Sequence, residues 1–291
     1  MIEQIIKKLA NKQNLTFDEA GEVIEFFAEG KATPEQISTF LISLKSKGET
    51  AEEISGFATK MRELTIKINT DGINNIVDSC GTGGDRLNTF NISTASAILA
   101  SSSGLHIAKH SNFGFTSKCG SSNVLESLGI ELVKTSKDAE ISLQNHNIVF
   151  LHAPYFHKST SHVNPVRKQL GIGTVFNFLG PLTNPARPTG QVLGISNPDF
   201  LPKMVESLKN LGCKKALVVC GSNPAIDEIS ICGKTHVYRL NNGNIDNFEL
   251  HPEDLGLKAA KIEDIQGGTP DINAQIIKDI FDGKLADSKL N

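Results

Sequence analysis

The chain has 291 residues, 39% hydrophobic and 21% charged, as expected for a globular protein with one large and one small domain. Its net charge of -3 excludes the basic surplus of an extended nucleic-acid-binding surface. Five cysteines without a CxxC pair argue against a zinc site or a disulfide framework. With no secretory signal and no apolar run of membrane-spanning length, we expect a cytoplasmic protein.

The first 72 residues predict a small all-helical domain. Three pairs at the capping-box spacing mark helix starts: Thr16 with Glu19, Thr33 with Gln36, and Thr50 with Glu53. Pro34 occupies a favoured first helical position, while Gly30 and Gly48 are stop signals. The apolar residues between these signals repeat at helical spacing. They fit both packing within the domain and a subunit interface, and the sequence does not separate these two uses.

From about residue 73 the pattern changes to short apolar runs that alternate with helical segments. The apolar runs lie at 76–77, 105–108, 148–151, 191–195 and 216–220, and the helical segments at 93–103, 137–144, 161–169, 198–210 and 271–282. Such alternation predicts a mostly parallel central sheet covered on its faces. We therefore expect a large α/β domain over residues 73–291, a hinge near residues 70–74, and a helical contribution from about 161–185 to the small domain.

The first cluster of chemically informative residues is DSCGTGGD at 78–85, followed by NTFNIST at 88–94. Glycines between a strand and a helix let backbone N–H groups approach a phosphate, and the helix N-terminus adds partial positive charge. Ser93 and Thr94 stand where the helix begins and can bind phosphate or cap the helix. A plain glycine turn explains one or two of these residues but not the run, which is neither a Walker loop nor a GxGxxG fingerprint.

Polar residues follow at the ends of later strands. Residues 109–112 (KHSN) come directly after the apolar run 105–108, where open α/β sheets bind ligands. A second possible phosphate cradle opens the next helix and comprises Ser117, Gly120, Ser121 and Ser122. A lone Lys-His pair is more often ordinary surface, so its functional interpretation depends on the phosphate loop before it.

An arginine and a pair of carboxylates complete the set. His157 and Arg167 bracket a helix, and an arginine can hold a planar carboxylate through two parallel hydrogen bonds. Asp227 and Glu228 follow the run 216–220 and a loop. Adjacent carboxylates beside a phosphate site can hold Mg²⁺ against a pyrophosphate, although such a pair in isolation is usually a solvated surface feature.

Taken in order, these motifs resemble the anthranilate phosphoribosyltransferases. The motifs are GTGGD at 81–85, NIST at 91–94, KHSN at 109–112, PVRK at 165–168, VFN at 175–177, LGPLTNP at 179–185 and DEIS at 227–230. The resemblance covers nearly the whole chain and implies a nucleoside phosphorylase-like fold. It implies transfer of the phosphoribosyl group from phosphoribosyl pyrophosphate to the amine of anthranilate, with loss of pyrophosphate, in tryptophan biosynthesis. It also implies a homodimer formed through the helical domain.

The same resemblance implies roles for individual residues. Phosphoribosyl pyrophosphate would contact Gly81, Thr82, Gly83, Gly84, Asp85, Thr89, Asn91, Ser93, Thr94, Lys109 and Ser121. Mg²⁺ would be held by Ser93, Asp227 and Glu228. Anthranilate would contact Gly81, His110, Asn112, His157, Arg167 and Gly180, with its carboxylate on Arg167. We expect no indispensable general base, because the aromatic amine is already neutral and needs positioning, by His110 and Asn112, more than deprotonation.

The chain departs from the family pattern at a few places. Ser111 and Phe113 stand at the glycine and arginine positions of KHGNR, Thr160 where tyrosine is frequent, and Asn123 where aspartate is common. Phe113 replaces a charge with an apolar ring, so both local repacking of its loop and a changed acceptor stay open. The chain also ends at Asn291, where the family usually continues through further helices, and loss of a covering helix would expose apolar sheet surface.

Several alternative functions remain open from the sequence. A nucleoside phosphorylase would need a nucleobase site, and both Arg167 and the Asp227–Glu228 pair argue against it. A paralogue with another acceptor, or a non-catalytic relative that binds nucleic acid, is kept open by Phe113 and Thr160. The net charge of -3 disfavours the nucleic-acid role. We expect Mg²⁺ as cofactor, phosphoribosyl pyrophosphate and anthranilate as partners, and neither nucleic acid nor a membrane.

Overall fold

The structure is a computed structural model that describes residues 1–114 and 118–284. Ser117, expected in the second phosphate cradle, lies outside the described residues, as do residues 285–291. The amino-terminal part is a bundle of four helices: α1 (Ile2–Ala10), α2 (Phe17–Ala28), α3 (Pro34–Lys47) and α4 (Ala51–Leu64). The three predicted capping boxes, at Thr16, Thr33 and Thr50, are confirmed, because each hydroxyl accepts from the backbone three residues on.

The bundle is held by aromatic packing and by one buried ion pair. Phe40 lies edge-to-face with Phe27 at 5.4 Å and with Phe57 at 6.0 Å. The side chains of Lys47 and Glu53, 2% and 0% exposed, are 2.9 Å apart. Glu53 also accepts backbone hydrogen bonds, including that of Thr50 at its own helix start. Glu53 therefore both caps the start of α4 and forms a buried ion pair with Lys47.

The second part is built on a seven-stranded sheet with strand order β3-β2-β1-β4-β5-β6-β7. The strands are β1 (Val77–Gly81), β2 (Ile107–Ser111), β3 (Ile148–His152), β4 (Gly190–Gly194), β5 (Lys215–Gly221), β6 (Thr235–Asn241) and β7 (Asn244–Leu250). The helices are α5 (Ile92–Ser102), α6 (Ser121–Ser127), α7 (Ser136–His146), α8 (Ala153–Phe156), α9 (Val163–Leu170), α10 (Phe176–Leu182), α11 (Leu201–Asn210) and α12 (Pro270–Phe281). The first five strands are parallel, as predicted.

The remaining two strands form an antiparallel hairpin that the apolar pattern did not reveal. β6 pairs with β5 and with β7, and the two-residue turn is Asn242-Gly243, with φ of 48° and 86°. Asn-Gly between two runs of alternating apolar and polar residues is a strong hairpin signal, so the sequence did contain a local indication of this hairpin. β7 was missed because both of its faces are largely exposed and it carries no continuous apolar run.

Strand β2 also differs from expectation, since it runs through Ser111 instead of ending near residue 108. Lys109 and His110 pair with Phe150 and Leu151 of β3, and their side chains are buried. Periodicity could not indicate this, because two polar residues inside a buried strand are stable only with specific partners. The Lys-His pair is consequently part of the sheet and not of the loop after it.

Helices α9 and α10 pack against α3 and α4. Val166 and Leu179 from these helices share one apolar cluster with the bundle, and that cluster continues to Val218 of β5 and Met204 of α11. The helical bundle and the sheet are thus joined by a continuous core. The division at residue 72 stays a prediction. In the described ranges no helix is long and apolar enough to cross a membrane.

Candidate active site

A cleft of about 1120 Å³ opens at the carboxyl ends of the parallel strands. Its walls come from the segment after β1, the end of β2, the α8–α10 region and the loop after β5. Ligands of open α/β sheets bind at this edge, because strand ends and helix N-termini converge there. The strand order brings together motifs that are more than a hundred residues apart in the chain.

The glycine segment lies directly against the carboxylate loop. Thr82 N–H donates to the carbonyl of Gly194 at 2.9 Å, and Gly83 N–H donates to Asp227 Oδ2 at 2.7 Å. Gly81 and Gly194 face each other on paired strands, and a Cβ on either would overlap Asp227. Gly81 is therefore required for the close approach of a carboxylate, in addition to its expected role beside phosphate. Gly194 carries the same constraint and was not singled out from the sequence.

Three carboxylates meet at this point. Burial and then the charge of Asp85 raise the pKa of Asp227, and burial followed by the charge of Asp227 raises the pKa of Glu228 to about 8. The Ser93 backbone opposes the rise in the pKa of Glu228, and the three predicted metal ligands, Ser93, Asp227 and Glu228, line the same cleft. Buried carboxylates that lie close together keep their protons to higher pH, because their negative charges repel each other. A divalent cation bound beside them would stabilise their charged forms.

The oxygen ligands available at this point fit a hard cation that is also coordinated by oxygen atoms of the substrate. Within residues 1–114 and 118–284, no group of three or more His, Cys, Asp or Glu side chains is placed to hold a metal ion. Mg²⁺ typically binds through one or two carboxylates plus phosphate oxygens and water, so a complete protein cage is not required. The residues present, Ser93, Asp227 and Glu228, match that type of site.

Lys109 is 1% exposed and occupies the wall between the glycine segment and the carboxylates. Its ammonium donates to the Ser79 carbonyl of β1 and to Ser93 Oγ, the latter at 3.1 Å. Its charge opposes the rise in the pKa of Glu228. The lysine therefore links the sheet to the start of α5 while placing a fixed positive charge beside the carboxylate pair.

The opposite wall of the cleft contains two hydrogen-bonded imidazoles. His110 Nδ1 lies 2.8 Å from the Gly180 carbonyl, His110 Nε2 lies 3.1 Å from His157 Nε2, and His157 Nδ1 lies 2.8 Å from the Thr65 hydroxyl. A carbonyl can only accept, so His110 Nδ1 carries a proton. When His110 is neutral its Nε2 accepts from His157 Nε2, and His157 Nδ1 then accepts from the Thr65 hydroxyl, which lies 2.8 Å from the Met61 carbonyl as well. Burial lowers the pKa of His110, and burial with the charge of His110 lowers that of His157 to about 3. Both rings are therefore neutral.

The motif at residues 179–185 is tied to the sheet by a buried amide. Asn184 Nδ2 donates to Asp78 Oδ2 at 2.9 Å and to the Ala108 carbonyl at 2.7 Å, while Asp78 Oδ1 accepts from His110 N–H at 3.1 Å. These contacts place the Gly180 carbonyl next to His110. Asp78 and Asn184 lie within the recognised motifs, but the sequence alone did not assign them this positioning role.

Arg167 reaches the same cleft from α9. Its guanidinium lies 5.4 Å from the centroid of the Phe176 ring, and its Nη1 donates to Asn164 Oδ1 at 3.3 Å. Burial lowers the pKa of this arginine, which still stays far above neutrality. The contact with the Phe176 ring helps to hold the guanidinium in the cleft, where it can bind a carboxylate through two hydrogen bonds.

Nearly all the predicted ligand residues line the cleft. On the phosphoribosyl side these are Gly81, Thr82, Gly83, Gly84, Asp85, Thr89, Asn91, Ser93, Lys109 and Ser121, and on the acceptor side Gly81, His110, Asn112, His157, Arg167 and Gly180. Thr94 is the exception. It is fully buried in α5 away from the cleft wall, and its hydroxyl has no hydrogen-bond partner among the described residues.

The departures from the family pattern have local partners. The Phe113 ring packs edge-to-face on His152 at 4.6 Å, and His152 packs on Tyr155 at 4.9 Å. The Ser122 hydroxyl lies 2.8 Å from His152 Nδ1 and donates to Ser111 Oγ at 3.3 Å. Phe113 and Ser111 thus belong to one connected cluster, yet both also line the cleft, where Phe113 is 42% exposed. The structure therefore fits both local repacking of the loop and a changed acceptor.

The fold and the cleft define a class: an α/β transferase with an attached helical bundle and a phosphate-binding edge. In agreement, the glycosyl transferase family model for the helical bundle domain matches residues 3–65, and its model for the a/b domain matches residues 73–291.

Curated and solved relatives specify the family further. The anthranilate phosphoribosyltransferase of Petrotoga mobilis is 46% identical over 285 residues, 98% of this chain and 82% of the relative. The crystal structure of the Thermus thermophilus enzyme matches with a TM-score of 0.90 and 36% identity, covering 98% and 85% of the two chains. The Saccharomyces cerevisiae enzyme in complex with PRPP and Mg matches with a TM-score of 0.88 and 30% identity, covering 97% and 82%. The chain belongs to the anthranilate phosphoribosyltransferase family.

Proposed function

We propose that this protein transfers the phosphoribosyl group of phosphoribosyl pyrophosphate to the amine of anthranilate and releases pyrophosphate. The observation that carries the proposal is that one cleft contains four features: a glycine segment, a carboxylate pair, a pair of hydrogen-bonded imidazoles, and an arginine over an aromatic ring. The first two features suit a pyrophosphate with its metal, and the last two suit a planar aromatic acid. Family membership points to the same reaction.

On the phosphoribosyl side, backbone N–H groups of the glycine segment, the Asn91 amide and the Lys109 ammonium would bind the phosphate and ribose oxygens. Thr82, Gly84, Asp85, Thr89 and Ser121 line the same part of the cleft. As the C1–O bond breaks, its electron pair leaves with pyrophosphate and ribose C1 gains positive character. Preorganised donors lower the energy of that state because negative charge grows on the leaving group.

Magnesium is part of the proposal, held by Ser93, Asp227 and Glu228. When bound, Mg²⁺ would supply positive charge beside the pyrophosphate leaving group. The protein's own contribution is to keep the carboxylate loop in place, because Gly83 N–H donates to Asp227 Oδ2. The Lys109 ammonium, which donates to Ser93 Oγ, acts on Glu228 from the same wall of the cleft.

On the acceptor side, Arg167 would bind the carboxylate of anthranilate, while His110, His157, Asn112 and Gly180 would hold its ring. The two histidines are neutral and hydrogen-bonded to each other, so they present a fixed, weakly polar wall. The amine needs no activation because it is uncharged at neutral pH, and the C1–N bond forms once its lone pair faces ribose C1. After attack the nitrogen carries an extra proton, which it gives to the released pyrophosphate or to water.

A homodimer in the cytoplasm is proposed as well. Ile42 of α3 is 48% exposed and Phe17 at the start of α2 is 38% exposed, which gives the bundle apolar side chains for a symmetric contact. None of the five cysteines, all of which lie in the described ranges, forms a disulfide, as suits a reducing compartment. Sedimentation velocity of the protein and of Ile42→Asp tests the contact: a dimer that becomes a monomer supports it, and a monomer in both cases removes it.

The reaction itself is tested by following the loss of anthranilate fluorescence with phosphoribosyl pyrophosphate and Mg²⁺. We expect turnover that stops when Mg²⁺ is removed by a chelator. The double variant Asp227→Asn with Glu228→Gln should lose Mg²⁺-dependent turnover, because both metal-binding charges are gone. A folded wild-type protein that binds phosphoribosyl pyrophosphate but leaves anthranilate unchanged would point to another acceptor. Undiminished activity of the double variant would overturn the metal assignment.

A further inference from the structure

The segment that leads into α12 runs alongside the second half of the glycine segment. Phe90 N–H donates to the Ile265 carbonyl at 3.1 Å, and Gly267 N–H donates to the Asn88 carbonyl at 2.8 Å. Between these bonds, Thr89 and Gln266 form an antiparallel bridge. The phosphoribosyl side of the cleft is therefore supported from behind by residues that none of the motifs includes.

The buried residue of this supporting segment is Asn273, which lies in the first turn of α12. Its side chain is 1% exposed, its Oδ1 accepts from Gly268 N–H at 2.6 Å, and its Nδ2 donates to Asn91 Oδ1 at 2.9 Å. A backbone N–H can only donate, so the atom of Asn273 facing Gly268 must be oxygen. The atom facing Asn91 is then the NH₂ group, and it requires an oxygen opposite it. The thiol of Cys119 also donates to Asn91 Oδ1, at 3.3 Å.

The orientation of Asn91 follows from these contacts. With Oδ1 turned towards Asn273 and Cys119, the Asn91 NH₂ group is the end left for a ligand, and its one bond in the described structure is a long one of 3.5 Å to the Cys119 carbonyl. Asn91 is also the N-cap residue of α5, yet its side chain makes no capping bond. An asparagine at this position normally accepts from the helix's first turn. Here its oxygen is instead held by Asn273 and Cys119.

We infer that Asn273 is a positioning residue for phosphoribosyl pyrophosphate, which acts by locking the Asn91 amide with its NH₂ group towards the substrate. A locked donor suits a phosphate oxygen, which can only accept, whereas a flipped amide would place an oxygen lone pair against that phosphate oxygen. The inference rests on the proposed function, since it concerns the same substrate. It adds a residue 182 positions away in the chain from the one it orients.

Asn273→Asp is the sharpest test, because the carboxylate keeps the shape of the amide and can still accept from Gly268. It presents an oxygen to Asn91, which must then turn its NH₂ group inward and its oxygen towards the substrate. We expect KM for phosphoribosyl pyrophosphate to rise on the order of tenfold, the effect of one hydrogen bond replaced by repulsion. KM for anthranilate should stay within about twofold. Asp271→Asn is the matched control, since Asp271 lies on the same turn but bonds to Ser127 on the outside.

A double-mutant cycle separates positioning from general damage to the fold. In an Asn91→Ala background, Asn273→Asp should cause no further rise in KM for phosphoribosyl pyrophosphate, because the group it acts through is absent. An equal rise in both backgrounds would overturn the inference. If Asn273→Asp does not fold, as judged by thermal unfolding, Asn273→Ala takes its place in the same cycle, with a smaller rise and the same criterion.

Calorimetric titration with phosphoribosyl pyrophosphate and Mg²⁺ keeps this inference distinct from the reaction. Weaker binding by Asn273→Asp, absent in the Asn91→Ala background, would support the positioning role even if the wild-type protein failed to consume anthranilate. Wild-type turnover with unchanged binding in Asn273→Asp would leave the proposed function intact and remove the role of Asn273.

Discussion

Gly194→Ala is the change whose effect follows most directly from the structure. A Cβ on Gly194 would stand 1.7 Å from the Asp227 carbonyl oxygen and 3.2 Å from Asp227 Cα. Gly194 lies in a central strand, paired to Gly81 on one side and Val219 on the other, so its backbone has little freedom to retreat. The loop that carries Asp227 and its neighbouring glutamate must therefore move instead.

The size of the effect can be worked out from that displacement. Ordinary contact begins at 3.4 Å, so the carbonyl must move by about 1.7 Å, which also breaks the 2.7 Å bond from Gly83 N–H to Asp227. Displacement of catalytic groups by roughly 1 Å can reduce the rate about a hundredfold. Overpacking of a buried site destabilises by about 1–3 kcal/mol. We expect kcat to fall about a hundredfold and the Mg²⁺ concentration for half-maximal activity to rise.

The assay is anthranilate consumption at saturating substrates over a Mg²⁺ titration, with thermal unfolding measured in parallel. Gly173→Ala is the matched control, because a Cβ there meets nothing within 4 Å and the backbone needs no positive φ. It should leave the Mg²⁺ dependence unchanged. A Gly194→Ala protein with kcat within twofold of wild type and an unchanged Mg²⁺ requirement would refute the idea that contact with β4 fixes the carboxylate loop.

Three further predictions concern the acceptor, acid stability and the bundle. Arg167→Ala should raise KM for anthranilate far more than KM for phosphoribosyl pyrophosphate in steady-state kinetics, and equal changes would contradict its role as the carboxylate ligand. The pKa of His157 in the folded protein is about 3, well below its ordinary value of about 6.5. Below pH 6.5 the unfolded chain therefore binds a proton at this residue that the folded chain does not bind. The free energy of unfolding consequently falls as the pH drops below about 6.5. In urea titrations His157→Asn should lose less of its unfolding free energy between pH 6.5 and 5, by up to about 2 kcal/mol, and an identical pH dependence would disprove burial of a neutral ring. Lys47→Met should destabilise by about 3 kcal/mol, because it leaves the fully buried Glu53 without its cation, whereas Lys31→Met at an exposed pair should change stability by less than about 1 kcal/mol.

The features that the sequence predicted well are those encoded within a few neighbouring residues. Capping boxes such as Thr16 with Glu19 act over three residues, and each was found where the spacing placed it. The parallel strands were visible because both faces are covered, which requires continuous apolar runs. The hairpin of β6 and β7 was missed, although Asn242-Gly243 marks its turn, because an exposed edge strand needs no apolar run.

Sequence patterns were sufficient to predict the helical bundle, the alternation of strands and helices, and the motifs that identify the family. The residues that support those motifs became visible in the folded chain: Asp227 comes 144 residues after Gly83 and contacts Gly194, and Asn273 bonds to Asn91. The reason is physical. Local signals arise from hydrogen bonds and packing between neighbours along the chain, whereas these contacts exist because the order of strands in the sheet brings distant loop ends to one edge.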